Sequence, residues 1–286
     1  YLATKMAISL LVLVPSLVLP HNVRHPAVRM GCVDEFSISK EIKAVRVFDG
    51  DYAADIRELV TEVATASIAE KGSFSLAVPG GSVVAALGGL EPDAFDISRM
   101  HIFFCNEKIP SMPCYDGAMA EMKKLGVPAE QVHGVPAEGS VQEIADSYAE
   151  VLKAHPSIDN SGPLPSVDMM LLGTGPDGHC GCLFPDSAEI KATGSGKAVL
   201  AGHDTRADGD FVAVSMDMMC AAKIVLVSAA GAGRAPMVAK ALSGEFEAYD
   251  CPAAMVDAKE DTFWFTDSEG ISEFDSELAS EEDEED

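Results

Sequence analysis

From about Lys43 onward, short runs rich in β-branched and aromatic residues alternate with longer stretches whose apolar positions recur every three or four residues. Residues 44–48 (Ala-Val-Arg-Val-Phe) and 74–78 (Phe-Ser-Leu-Ala-Val) have the composition of strands, and residues 52–70 and 82–90 the periodicity of helices. Residues 100–105, 167–172 and 223–228 are largely apolar runs of strand length, the pattern of strands covered on both faces. An amphipathic helix is expected over 144–154, and another over 234–242 with Pro236 in its first turn, where the missing N–H costs nothing. Residues 262–266 make a last short strand. This alternation predicts an α/β fold, a mainly parallel sheet flanked by helices, in a single domain over residues 43–267.

The two ends break the pattern. Residues 6–20 are an apolar run preceded by Lys5 and interrupted by Pro15, too short for a comfortable membrane span and similar to a signal-peptide core. Residues 21–30 hold Arg24 and Arg29 and no acid. A hydrophobic signal followed by a basic stretch fits the two-part address of a plastid bounded by extra membranes, so residues 1–42 are read as a targeting segment; a secretory signal, or a cytoplasmic protein with a buried first helix, is the alternative. Residues 268–286 hold ten acids and no lysine or arginine, a composition expected of a solvated, disordered tail.

Charge and cysteine content narrow the partners. The chain carries 46 acidic and 20 basic residues, a formal charge of −26, and the domain stays acidic without its tail. Such a surface repels nucleic acid, and no basic patch offsets it. The mature domain has no membrane segment in this reading, and the sequence sets no oligomeric state. Seven cysteines without a CxxC pair fit a reduced compartment.

Ligands of open parallel sheets sit beyond the carboxyl ends of the strands, which directs attention to three loops. Pro79-Gly80-Gly81-Ser82 follows a strand and opens a helix; its amides can cradle an anion, and Ser82 as an N-cap explains the same residues equally well. Asn106-Glu107-Lys108-Ile109-Pro110 sets an acid beside a base where the chain turns, which a surface ion pair also explains. Gly173-Thr174-Gly175-Pro176-Asp177-Gly178-His179 is the most specific of the three. Three glycines in six residues are costly to order unless the backbone adopts positive φ or lies close to a ligand. A histidine in such a loop can take a proton from water, as a hydrolase of an activated ester requires.

These loops, followed by Leu183-Phe184-Pro185, Ser228-Ala229-Ala230-Gly231-Ala232-Gly233-Arg234 and Trp264-Phe265-Thr266-Asp267, resemble the 6-phosphogluconolactonase family, part of a larger group with the glucosamine-6-phosphate deaminases and isomerases. The resemblance runs from about Val45 to Asp267. It implies a Rossmann-like catalytic domain that hydrolyses a phosphorylated sugar lactone in the oxidative pentose phosphate pathway, with no metal and no cofactor. Carried over to this chain, it makes His179 the general base with Asp177 orienting it, and Gly80, Gly81, Ser82, Glu107, Lys108, Gly175, Gly178 and Arg234 the substrate contacts. The chain departs from the family at Asn106 and Lys108 (usually Asp and Arg), at Gly117-Ala118 (usually Ser-Asn) and at Phe211 (usually Arg). Those changes keep two other readings open: a lactonase-like binding or assembly subunit with weakened catalysis, and a sugar-phosphate isomerase or deaminase.

Overall fold

The computed structural model describes residues 23–25, 31–38, 44–244 and 246–274. In chain order the elements are β1 (Val23–His25), β2 (Cys32–Ser37), β3 (Ala44–Phe48), α1 (Ala53–Lys71), β4 (Phe74–Val78), α2 (Ser82–Leu87), β5 (Met100–Phe104), β6 (Asn106–Ile109), α3 (Pro113–Lys124), α4 (Val141–Ala154), β7 (Met169–Gly173), α5 (Ala188–Lys191), β8 (Val199–Asp204), β9 (Gly209–Val214), α6 (Met216–Ala221), β10 (Ile224–Ala229), α7 (Ala235–Ser243) and β11 (Asp261–Asp267). Eight strands form the main sheet in the order β1-β2-β3-β11-β10-β7-β4-β5, and β6-β9-β8 make a second, antiparallel sheet. From β3 to β5 every pairing is parallel. The apolar runs become these strands because helices cover both faces: every residue of β3 and β4 is buried, as are Met169 to Leu172 of β7. Their side chains form one continuous core with the helices.

Local chemistry sets several element ends. Helix α1 stops at Gly72, whose φ of 79° suits the left-handed C-cap and whose amide donates to Ile68 O at 2.9 Å. Helix α4 starts three residues before the expected Ile144, because Ser140 and Glu143 form a capping box. The Tyr148 hydroxyl of that helix accepts from Phe104 N (2.6 Å) and donates to Phe104 O (3.0 Å), closing the backbone of edge strand β5. At the amino ends of the strands, the buried Asp168 carboxylate accepts from Ser75 N and Ser75 Oγ (both 2.8 Å) and pairs with Lys71 at 2.8 Å. One carboxylate thereby ties α1, β4 and the segment entering β7.

Three expectations need correction. Residues 106–110 are not a loop: Asn106 to Ile109 pair with β9 as β6. Ser82 is not an N-cap; Gly81, at φ 83°, holds that position and α2 ends early at Gly88. The sheet also begins before residue 43, since β2 pairs with β3 and Phe36 stacks on Phe274 at 5.9 Å, and packing continues beyond Asp267 through buried Ile271 and Phe274. The apolar run at 6–20 and the chain from residue 275 lie outside the described residues. No helix among the described residues is long and apolar enough to cross a membrane.

A chain cut after Asp267 is therefore expected to melt several degrees lower than one cut after Phe274, since loss of a buried phenylalanine alone costs on the order of 3 kcal/mol. Thermal unfolding followed by circular dichroism makes the comparison.

Candidate active site

The carboxyl ends of β3, β4, β7, β10 and β11 open on a cleft of about 610 Å³, walled on its other side by β6. His179, Lys108, Arg234, Gly80, Gly81 and Ser82 all line it. The structure thus brings together residues drawn from four separate segments of the sequence.

His179 is placed by the loop after β7. Thr174 N and Thr174 Oγ1 donate to Ser228 O at 3.2 and 3.0 Å, which ties the loop to β10. Gly175 N then donates to His179 O at 2.9 Å and Gly178 N to Gly175 O at 3.1 Å, folding the loop back on itself. A side chain at Gly175 would overlap the His179 ring and approach Asp177 Oδ1 to 2.6 Å; one at Gly178, where φ is 81°, would meet Cys251 Sγ at 2.7 Å. Neither glycine lines the cleft. Gly175 lets the imidazole lie against the backbone, and Gly178 lets the loop pack against Cys251 and Met237.

Asp177 Oδ1 is 2.6 Å from His179 Nδ1, and Asp177 Oδ2 accepts from Arg206 Nη1 at 2.8 Å. Partial burial pushes the Asp177 carboxyl up, but the hydrogen bonds and charge of His179 and the Arg206 contact outweigh it and leave the group below the ordinary carboxylate value. An ionised carboxylate only accepts, so His179 Nδ1 carries a proton and Nε2 of the neutral ring keeps its lone pair. Phe184 packs under both partners, 4.9 Å from the His179 ring centroid and 3.7 Å from the Arg206 guanidinium carbon. Phe211 meets Phe184 edge-on at 5.9 Å.

Arg206, at the tip of the β8–β9 hairpin, was not among the residues expected from the sequence. It lies in Asp-Thr-Arg-Ala-Asp, which reads as a solvated turn. Tyr52, Ser228 and Asp267 also line the cleft unanticipated. Tyr52 Oη and Ser228 Oγ are 2.8 Å apart, and burial pushes the Tyr52 hydroxyl up to about 12, so it stays protonated at neutral pH. Asp267 accepts from Gly231 N at 2.9 Å and Gly270 N at 2.7 Å, fixing the loop that leads to Arg234.

Two cations face the cleft without a carboxylate partner among the described residues. Lys108 is exposed on β6. Arg234 is held by neutral groups, its Nε donating to Thr174 O and its Nη1 to Ala230 O, each at 2.8 Å, which leaves Nη2 for an anion. Glu107 contradicts its expected role. Fully buried, its carboxylate accepts from Lys108 N (2.9 Å), Cys114 N (3.1 Å) and Tyr115 N (2.7 Å) and so anchors the start of α3, not a ligand. Nor do the altered positions cluster at one site: Asn106 and Lys108 line the cleft, whereas Gly117 and Ala118 sit within α3 and Phe211 supports Phe184. Asn106 Nδ2 donates to Cys182 Sγ at 3.2 Å, and burial pushes the Cys182 thiol up to about 11. All seven cysteines are free.

Residues 49–264 match the sequence profile of the glucosamine-6-phosphate isomerases/6-phosphogluconolactonase family. The chain belongs to this family. Within it, the chain is 26% identical over 250 residues to human 6-phosphogluconolactonase, covering 83% of this chain and 91% of the human one. It is 27% identical over 247 residues to the probable chloroplastic 6-phosphogluconolactonase 3 of Oryza sativa subsp. indica, 79% and 74% of the two chains. The solved 6-phosphogluconolactonase of Trypanosoma brucei superposes with a TM-score of 0.70 at 21% identity, over 80% of this chain and 97% of that one. That likeness establishes the shared, mostly parallel α/β fold.

Because Arg206 helps hold Asp177 ionised, Arg206→Ala is expected to raise the Asp177 carboxyl pKa while leaving thermal stability within about 0.5 kcal/mol. A carboxyl-carbon NMR titration through the acid range measures the shift; an unmoved Asp177 would show that His179 alone sets its charge.

Proposed function

We propose that this chain is a 6-phosphogluconolactonase, hydrolysing 6-phospho-D-glucono-1,5-lactone to 6-phosphogluconate in the oxidative pentose phosphate pathway, with His179 as general base. The observation that carries this reading is the convergence in one cleft of His179, backed by Asp177, with Lys108 and Arg234, two cations without a carboxylate partner among the described residues. The pair supplies a proton acceptor and the cations a seat for the 6-phosphate, in a chain whose acidic surface otherwise repels anions.

In this mechanism His179 Nε2 takes a proton from water as the water oxygen attacks the lactone carbonyl. The imidazolium so formed lies 2.6 Å from the Asp177 carboxylate, which stabilises it, and Arg206 holds that carboxylate from its other oxygen. When the tetrahedral intermediate collapses, the ring oxygen leaves and takes the proton from His179. The amides of Gly80 to Ser82, Lys108 and the Arg234 guanidinium bind the phosphate. A δ-lactone already opens in water, so a positioned base supplying about 10²–10⁴-fold, together with orientation, suffices. Lysine in place of the usual arginine presents a point charge and not a planar fork, which loosens the hold on phosphate without removing it. Asn106 argues against isomerase or deaminase chemistry, because its amide donates to a thiol and carries no exchangeable acid for moving a proton on the sugar.

His179→Ala is expected to reduce enzymatic opening of freshly generated lactone by roughly 10²–10⁴-fold with an unchanged far-UV spectrum. Wild-type turnover no faster than spontaneous opening would favour the binding-subunit reading, and ammonia release from glucosamine 6-phosphate would favour the deaminase. For the cell, the composition of residues 1–42 supports a plastid address, in line with the chloroplastic rice relative. Residues 1–42 fused to a fluorescent protein are expected to direct it to plastids; cytosolic or secreted fluorescence would overturn that assignment.

A further inference from the structure

Away from the cleft, three histidines remote in sequence meet at the outer edge of the main sheet. His101 is the second residue of edge strand β5, His133 follows the short 3-10 turn Ala129–Gln131, and His155 caps the end of α4. His101 Nδ1 and His133 Nε2 are 3.2 Å apart, and the ring centroids of His133 and His155 are 4.1 Å apart. One ring nitrogen from each of the three lies within 4.8 Å of the others, and no other trio of His, Cys, Asp or Glu converges in this way among the described residues. None of them lines the cleft, which opens at the other end of the strands. The backbone here is tied down independently of any ion: His133 N donates to Ile102 O at 2.8 Å, and Ser157 fastens the turn after α4 to His155.

We propose that His101, His133 and His155 form a binding site for a zinc-class transition-metal ion, with three imidazole ligands and the fourth position open to solvent. Two nitrogens bound at about 2.0–2.1 Å to one tetrahedral ion stand roughly 3.3 Å apart, so the His101–His133 pair already has the spacing of shared ligands. His155 completes the set through Nε2 after a small ring movement, which its half-buried position permits. Its Nδ1 accepts from Ser157 N at 3.2 Å and is 2.8 Å from Ser157 Oγ. Metal binding at Nε2 requires the Nδ1–H tautomer, in which Nδ1 gives up the bond from Ser157 N and donates to the Ser157 hydroxyl, the outer hydrogen bond that orients a metal-bound imidazole. An all-nitrogen set suits zinc, copper, nickel or cobalt and not magnesium or calcium, which require oxygen ligands.

The electrostatics permit an ion here. Burial, with the neighbouring rings of His155 and His101, holds His133 down at about 4; burial and Lys71 lower His101, and burial and His101 lower His155, in keeping with neutral, ligating rings. The nearby cation is Lys71, whose ammonium is neutralised by Asp168 at 2.8 Å. A bound ion would clamp β5, the segment before α4 and the end of α4 together, fastening the edge strand of the main sheet. Its role is structural, and it is independent of the lactonase reading.

The test uses the full chain, stripped with a chelator and titrated with Co²⁺ as a visible probe. One equivalent is expected to give the d–d bands of a nitrogen-ligated ion without a thiolate charge-transfer band, Zn²⁺ to displace it, and the melting temperature to rise with metal. His133→Ala and His155→Ala are each expected to weaken binding at least roughly tenfold, and His179→Ala to leave it unchanged. If His133→Ala fails to fold, the more peripheral His155→Ala alone carries the comparison. Absence of bands at millimolar Co²⁺, bands that survive loss of both His133 and His155, or bands lost with His179 would each overturn the site.

Discussion

Parallel hydrogen bonding across six consecutive strands, β3-β11-β10-β7-β4-β5, is the constraint from which the rest of the molecule follows. Because every strand runs the same way, every carboxyl end reaches the same edge of the sheet, and loops distant in sequence must share one space. The loops after β4, β7 and β10 each carry glycine at the point of exit, where backbone must turn sharply beside its neighbours. Strands covered on both faces are apolar in the middle of the sheet apart from Arg46, which lies against Phe263 and Phe265, so most polar chemistry gathers at the two ends. At one end lies the cleft; at the other, Asp168 gathers Ser75 and Lys71 into a buried knot.

The cleft works by dividing labour between charges that are satisfied and charges that are not. Asp177, Asp267 and Glu107 are all engaged, by a histidine and an arginine, by loop amides and by helix amides respectively. Lys108 and Arg234 are left over, and Arg234 is rigid because carbonyls hold it in place of a carboxylate. A carboxylate partner would have cancelled the very field that draws an anion into an acidic protein. The second sheet contributes both Lys108 and Arg206, so the wall opposite the main sheet supplies cationic groups while the strand ends supply the base.

How much of this was legible in the sequence depended on the range of the interaction. The buried strands announce themselves because a run such as Met-Met-Leu-Leu at 169–172 is apolar whatever its neighbours are. The glycines around His179 are legible because their conformational cost demands a reason, which the fold supplies as room for the imidazole at Gly175 and for Cys251 at Gly178. Strand β6 was hidden: Asn-Glu-Lys-Ile has no alternation, and its partner β9 lies about a hundred residues further on. Glu107 and Arg206 were misread or missed for the same reason, since only the folded chain shows that one carboxylate faces the amides of α3 and that a polar hairpin tip reaches Asp177. The meeting of His101, His133 and His155 leaves no trace in local spacing at all. The edges of the domain were blurred because Phe36 and Phe274 are unremarkable singly and meaningful as a stacked pair.

The position of β11 has a consequence for how the protein is made. This strand, residues 261–267, is among the last described portions of the chain to leave the ribosome, yet it belongs in the interior of the sheet, between β3 and β10. Until it emerges, β3 and β10 each present a bare hydrogen-bonding edge, and the nascent chain can assemble only two partial sheets. Completion of the sheet therefore waits until residue 267 has emerged. The interval before it is the period in which a chaperone or a translocation channel would find the chain still open.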